Sequence, residues 1–280
     1  MAANTSRRVF GAFMTGATYS AAALAILPLA AILSMLIVKG AGSLDWNFFT
    51  RSAVPLGEPG GGFANAIVGT LIIVGVAGAI GVPVGIGAGI YLAEFGGGRV
   101  GWIVRFVADT MNGIPSIVIG IFAWTWIVRP SGHFSALAGS AALAVILAPI
   151  VARTTEEMVR LVPNSLREAA LALGYQRWRT SLTVVVRTAG TGIVTGCLVA
   201  VARVSGETAP LIFTTLGNQF FSTRVLEPMA ALPLQVYVYA VGPYDEWHRQ
   251  AWAGALVLIL LVLSLGTLAR VATRRRQAGA

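Results

Sequence analysis

The sequence predicts an all-α, polytopic membrane protein that crosses the bilayer about six times. Of its 280 residues, 56% are hydrophobic and only 11% are charged, where a soluble domain carries roughly 25% charged residues. Mean hydropathy is +0.77. Apolar runs recur along the chain, each near the ~20 residues that a helix needs to cross a hydrocarbon layer ~30 Å thick. Lipid offers no hydrogen bonds, so the backbone of such runs closes its own bonds as a helix or a sealed barrel. Barrel strands alternate in polarity every second residue. These runs are apolar on all sides, and helices follow.

The expected spans are 9–38, 63–92, 102–128, 134–151, 190–216 and 251–271, in one membrane domain over residues 1–280. The first run exceeds the roughly 7–15-residue apolar core of a cleavable signal peptide and reads as a signal anchor. A loop with Gly60, Gly61 and Gly62 precedes the second span, and a polar stretch over 152–188 separates the fourth from the fifth. Before the sixth span, Pro228 and Pro233 with Tyr237, Tyr239, Tyr244 and Trp247 suggest a short helix on the outer face. Aromatics of this kind anchor at a membrane interface.

The net charge of +9 does not imply nucleic acid, because the positive residues lie between the apolar runs. Fourteen fall on one side: Arg7, Arg8, Arg99, Arg105, Arg153, Arg160, Arg167, Arg177, Arg179, Arg187, Arg270 and Arg274 to Arg276. Five fall on the other, Lys39, Arg51, Arg129, Arg224 and Arg249. The positive-inside rule then puts both termini and the 152–188 stretch in the cytoplasm.

Within the second span, Gly81, Gly85 and Gly89 share one helix face around Pro83. Small residues four apart let helix backbones approach closely; a kinked gate helix is the functional alternative. The third span carries a similar break at Gly113-Ile114-Pro115. Asp109 lies in that span, with Arg105 one turn before it as its local partner.

Arg203 lies deep inside the fifth span, about 13 residues or ~20 Å along the helix. A charge at mid-helix costs roughly 2.5 to 3.5 kcal/mol on translocon scales, so it faces protein or a cavity. Glu207 follows at i+4, within reach on a helix. The pair is either an internal ion pair or an anion site. A guanidinium offers the planar donor fork that matches phosphate oxygens. Arg153 and Glu156 form a second pair, at i+3, at the end of the fourth span. It is either a solvated helix end or part of the same route.

Residues 163–187 form a compact element. Ser165 is placed to cap a short helix, with Glu168 closing a capping box. Leu166, Ala169, Ala170 and Leu173 line an apolar stripe, and Gly174 suits the left-handed stop. A second amphipathic piece runs from Tyr175 through Trp178 towards Val186. The element is either a connector lying on headgroups or a knob that docks in a soluble partner.

No residues support an activity of the chain's own. It has no G-x-x-x-x-G-K-[ST] phosphate loop and no nucleophile elbow. Cys197, its single cysteine, and His133 and His248 are far apart in sequence, which argues against a metal site. No catalytic residue, metal or cofactor is expected.

Glu168-Ala169-Ala170-x-x-x-Gly174 resembles the EAA motif of ABC importer permeases, although Val186 and Arg187 stand where that motif ends in Leu-Pro. Four further pieces resemble the permease subunits of phosphate ABC importers: 65–70 (Asn-Ala-Ile-Val-Gly-Thr), 113–118 (Gly-Ile-Pro-Ser-Ile-Val), 153–157 (Arg-Thr-Thr-Glu-Glu) and 205–211 (Ser-Gly-Glu-Thr-Ala-Pro-Leu). The resemblance implies a MetI-like, type I importer permease in a bacterial plasma membrane. It implies a sister permease subunit, two copies of a cytoplasmic ATPase subunit that grips Ser165, Glu168, Ala169, Ala170 and Gly174, and an extracytoplasmic phosphate-binding protein. It also implies that Arg153, Glu156 and Arg203 line the substrate pathway; Glu207 joins them as the carboxylate that would hold Arg203 when no anion is present. Another oxyanion (phosphonate, molybdate or sulfate) is the alternative cargo, and a stand-alone secondary transporter the alternative class.

Overall fold

A computed structural model describes residues 2–54 and 60–277, which are helical almost throughout. In chain order the helices are α1 (Ala2–Gly40), α2 (Trp46–Thr50), α3 (Ala64–Glu94), α4 (Arg99–Gly113), α5 (Ser116–Ser131), α6 (Ala136–Arg160), α7 (Asn164–Ala172), α8 (Arg177–Val204), α9 (Ala209–Thr214), α10 (Leu232–Val241) and α11 (Asp245–Gln277). Among the described residues, α1, α3, α6, α8 and α11 contain stretches long and apolar enough to span a membrane. The pair α4–α5 makes a sixth crossing only as a bent unit.

The core is built on α6. Its partner α3 lies against it through the glycine face read from the sequence. A Cβ added at Gly85 would stand 2.6 Å from the Cβ of Val151, and one at Gly89 would stand 2.5 Å from the carbonyl oxygen of Ala152. In lipid there is little hydrophobic gain from burying one apolar helix on another, so contact between bare backbones supplies the attraction. Ser140 adds a hydrogen bond to the Ile73 carbonyl at 3.0 Å. α3 stays one helix through Pro83, so this face is a packing seam.

The break in the third span is real. Ile114 is extended (ψ 130°), as the residue before a proline prefers. Pro115 has no N–H to continue the ladder, and α4 and α5 diverge by 103°.

The fourth and fifth spans depart from their expected limits. The helix of the fourth span, α6, runs on past 151 to Arg160. The piece expected as a separate amphipathic segment is the first part of α8, which starts at Arg177 and continues through one wider turn at Ser181–Val185. α8 then stops at Val204, and the chain resumes as a helix only over Ala209–Thr214. Gly206 and Pro210 explain the stop: glycine weakens a helix, and proline at the start of α9 cannot donate backward.

A second cluster lies at the other end of the bundle, where Phe48, Phe63, Leu232 and Tyr239 are buried. Tyr239 stacks on Trp247, ring centroids 4.6 Å apart, and meets Phe63 edge-on at 5.3 Å. Tyr239 is therefore a core residue and not the interface anchor expected of it. Its phenol is pushed above the usual range by burial. Tyr237 and Tyr244 remain exposed.

Candidate substrate pathway and coupling element

The Arg153–Glu156 pair forms, and it belongs to something larger. Glu156 is 1% exposed. Its carboxylate receives Arg153 Nη1 at 2.8 Å, Arg105 Nε at 2.7 Å and Arg160 Nη2 at 2.6 Å. Three guanidiniums on one carboxylate offset the cost of burying it. Arg105 also donates Nη1 to the Gly96 carbonyl at 3.0 Å and Nη2 to the Leu92 carbonyl at 2.7 Å. It therefore ties α4 to the end of α3 and to α6 at once. Asp109 does not pair with Arg105. Arg105 is turned to α6, and Asp109 meets Arg153 Nε at 2.9 Å.

Arg203 and Glu207 are not brought together. Among the described residues no ion pair contains either one. The i+4 reach needs an unbroken helix, and α8 ends between them. Glu207 N–H bonds the Val204 carbonyl at 3.1 Å in a tight turn. Arg203 is exposed and Glu207 half-buried. Packing registers give the depth of Arg203. Gly196 of α8 sits on Thr154 of α6, and Gly139 of α6 sits on Thr215 and Leu211. Arg203 falls between these two levels, seven residues or about 10 Å beyond Gly196. Arg203 thus lies part-way along the bundle.

On the Arg177 side of that level a cleft of about 1010 Å³ opens between α6 and α8. Thr154, Met158, Arg187, Thr191 and Gly192 are among its lining, which includes neither Arg153 nor Arg203.

The 163–187 element is fixed by a contact that sequence reading missed. Glu94, at the end of α3, receives Arg167 Nη2 at 2.9 Å and the Ser181 hydroxyl at 2.8 Å. Arg177 donates to the Glu94 carbonyl at 2.8 Å. Arg167 also reaches the carbonyls of Val162 and Val159. The expected capping box is absent: the cap is Pro163, no side chain bonds there, and Ser165 lies inside the first turn. Arg167 donates to the Val159 and Val162 carbonyls before the helix and to the Asn164 side chain at its start. The stop is as expected. Gly174 has φ +85°, Tyr175 N–H reaches the Ala170 carbonyl at 3.2 Å and Gly174 N–H the Leu171 carbonyl at 2.9 Å, a Schellman end. Ala170 is buried, while Ser165, Glu168, Ala169 and Gly174 are exposed. Leu173 (79% exposed) stands out beside them. A rigid, partly apolar knob is thus held on the bundle by buried charge.

Residues 85–277 match the family model of the binding-protein-dependent transport system inner membrane component. The chain belongs to this permease family. It is 46% identical to the phosphate transport system permease protein PstA of Haemophilus influenzae, covering 95% of this chain and 94% of that one. It is 36% identical to PstA 1 of Mycobacterium tuberculosis, covering 97% and 91%. The fold of the family is seen in an inward-facing structure of the MetNI methionine ABC transporter, matched with a TM-score of 0.65 at 18% identity over 76% of this chain and 95% of that one. The chain is a multi-pass, helical ABC permease of the MetI type. As a member of a permease family it is not an enzyme.

Proposed function

We propose that this chain is one membrane subunit of a phosphate importer driven by ATP hydrolysis on separate subunits. The carrying observation is likeness along nearly the whole chain to relatives named as phosphate permeases. The geometry supports it in two places. Arg203 presents an exposed guanidinium with no ion-pair partner among the described residues at a helix break, and in this reading it lies inside the membrane layer, where ionisable groups mark pathways. The α7 knob presents Glu168, Ala169 and Gly174 outward on a charged foundation, as a docking element requires.

In this reading a sister permease completes the pathway, two ATPase subunits hold the α7 knobs, and an extracytoplasmic phosphate-binding protein delivers the anion. Both termini and α7 are cytoplasmic, by the arginine excess on that side. Closure of the ATPases moves α7, Glu94 passes the movement to α3, and the bundle opens to alternate sides. Arg203 holds phosphate by a charge-assisted fork, with Arg153 and Glu156 nearer the cytoplasmic exit.

Proteoliposomes with the full set of subunits should accumulate labelled phosphate only when ATP is inside and binding protein outside. A tenfold excess of sulfate, molybdate or phosphonate should leave that uptake unaffected. Strong competition by one of these would reassign the cargo, and uptake by this chain alone would remove the ATPase-coupled reading.

A further inference from the structure

α4 and α6 meet through two opposite pairs of charges. Arg105 and Asp109 lie one turn apart on α4, and Glu156 and Arg153 lie one turn apart on α6; each cation takes the other helix's carboxylate. The two contacts are unequal. Arg105 is fully engaged, with three hydrogen bonds to Glu156, Gly96 and Leu92. Asp109 has a single ion-pair partner among the described residues and is 53% exposed, facing an Arg153 that is 35% exposed. Arg153 is anchored by buried Glu156 through Nη1 alone. Its Nε edge is therefore held by a carboxylate that solvent can reach. Four residues beyond Asp109 the helix ends at Gly113, ahead of the 103° bend, while Arg105 fastens the middle of α4 to the end of α3 and to α6.

We propose that Asp109 is a tethered counter-anion for Arg153, occupying the donor edge that a free oxyanion would otherwise take. It is a positioning residue that sets how strongly the route retains phosphate. The inference rests on the pathway role proposed above for Arg153. A carboxylate and a phosphate cannot share one guanidinium edge without repulsion. Phosphate moving past Arg153 displaces Asp109, and the return of Asp109 expels it. The carboxylate thereby prevents phosphate from the cytoplasm from binding back and stalling the cycle.

The test uses the complete transporter in proteoliposomes preloaded with unlabelled phosphate. The internal concentration that halves labelled uptake is read for each variant, relative to that variant's own rate without preload. Because the pair is half-exposed, its worth is modest. Asp109→Asn should lower the half-inhibitory concentration about two- to fivefold, and Asp109→Glu should restore it. An unchanged value in Asp109→Asn, equal shifts in the Asn and Glu variants, or failure of Asp109→Asn to copurify with its partners would each overturn the proposal. Arg153→Gln separates the layers. If it is inactive while Asp109→Asn responds as wild type, the counter-anion inference alone fails. If Arg153→Gln takes up phosphate normally, the pathway role of Arg153 fails and the inference with it.

Discussion

Arg153–Glu156 and Arg203–Glu207 are written alike in the sequence, each a cation followed within about one helical turn by a carboxylate. They fold differently because α6 continues through the first pair and α8 stops inside the second. In the first, Glu156 becomes the buried hub of three arginines that join α3, α4 and α6. In the second, the turn at Val204–Glu207 carries the carboxylate away and leaves the guanidinium exposed. Side-chain spacing predicts a contact only where the backbone stays helical. The same motif therefore supplies a structural clasp at one level of the bundle and an exposed guanidinium at another.

The contrast can be broken most forcefully at its closed member. Glu156→Ala would leave three arginines around a vacated, buried site. Loss of one partner from a buried charge network costs about 3 to 5 kcal/mol. The assembled transporter in detergent should show a large drop in unfolding midpoint, and a drop as small as a surface substitution gives would remove the clasp. Gly85→Val tests the packing that brings the clasp together. Its Cβ would lie 2.6 Å from the Cβ of Val151, against a rigid helix. Overpacking of this kind costs about 1 to 3 kcal/mol, with Gly75→Ala, which meets no neighbour within 4 Å, as the silent control.

Much of this was legible in the chain. The apolar runs gave the class and the number of crossings, because lipid leaves the backbone no alternative. The Gly81, Gly85 and Gly89 face, the Gly113–Pro115 break and the Gly174 stop follow from local chemistry that tertiary structure did not override. The missed features are long-range or were hidden by composition. Arg105 and Glu156 are 51 residues apart, and Glu94 and Arg167 are 73 apart; no periodicity announces such pairs. The stop in α8 was hidden because the sequence stays apolar on both sides of it, although Ser205-Gly206 and Pro210 carried the signal. Tyr239 was misplaced since an aromatic at an interface and one in a core have the same letter, and only Phe63 and Trp247 distinguish them. Of the four pathway candidates, the sequence showed the charges and their spacing but not which of them were already partnered.

The most direct measurement is phosphate uptake together with thermal unfolding for Arg203→Gln in the complete transporter. An exposed, unpaired guanidinium contributes little to stability, while a charge-assisted contact to the passing anion contributes enough to change transport about tenfold or more. The expected result is uptake reduced by that factor with an unfolding midpoint like that of the wild type. Full uptake, or uptake lost in step with stability, would contradict the assignment of Arg203 to the passing anion.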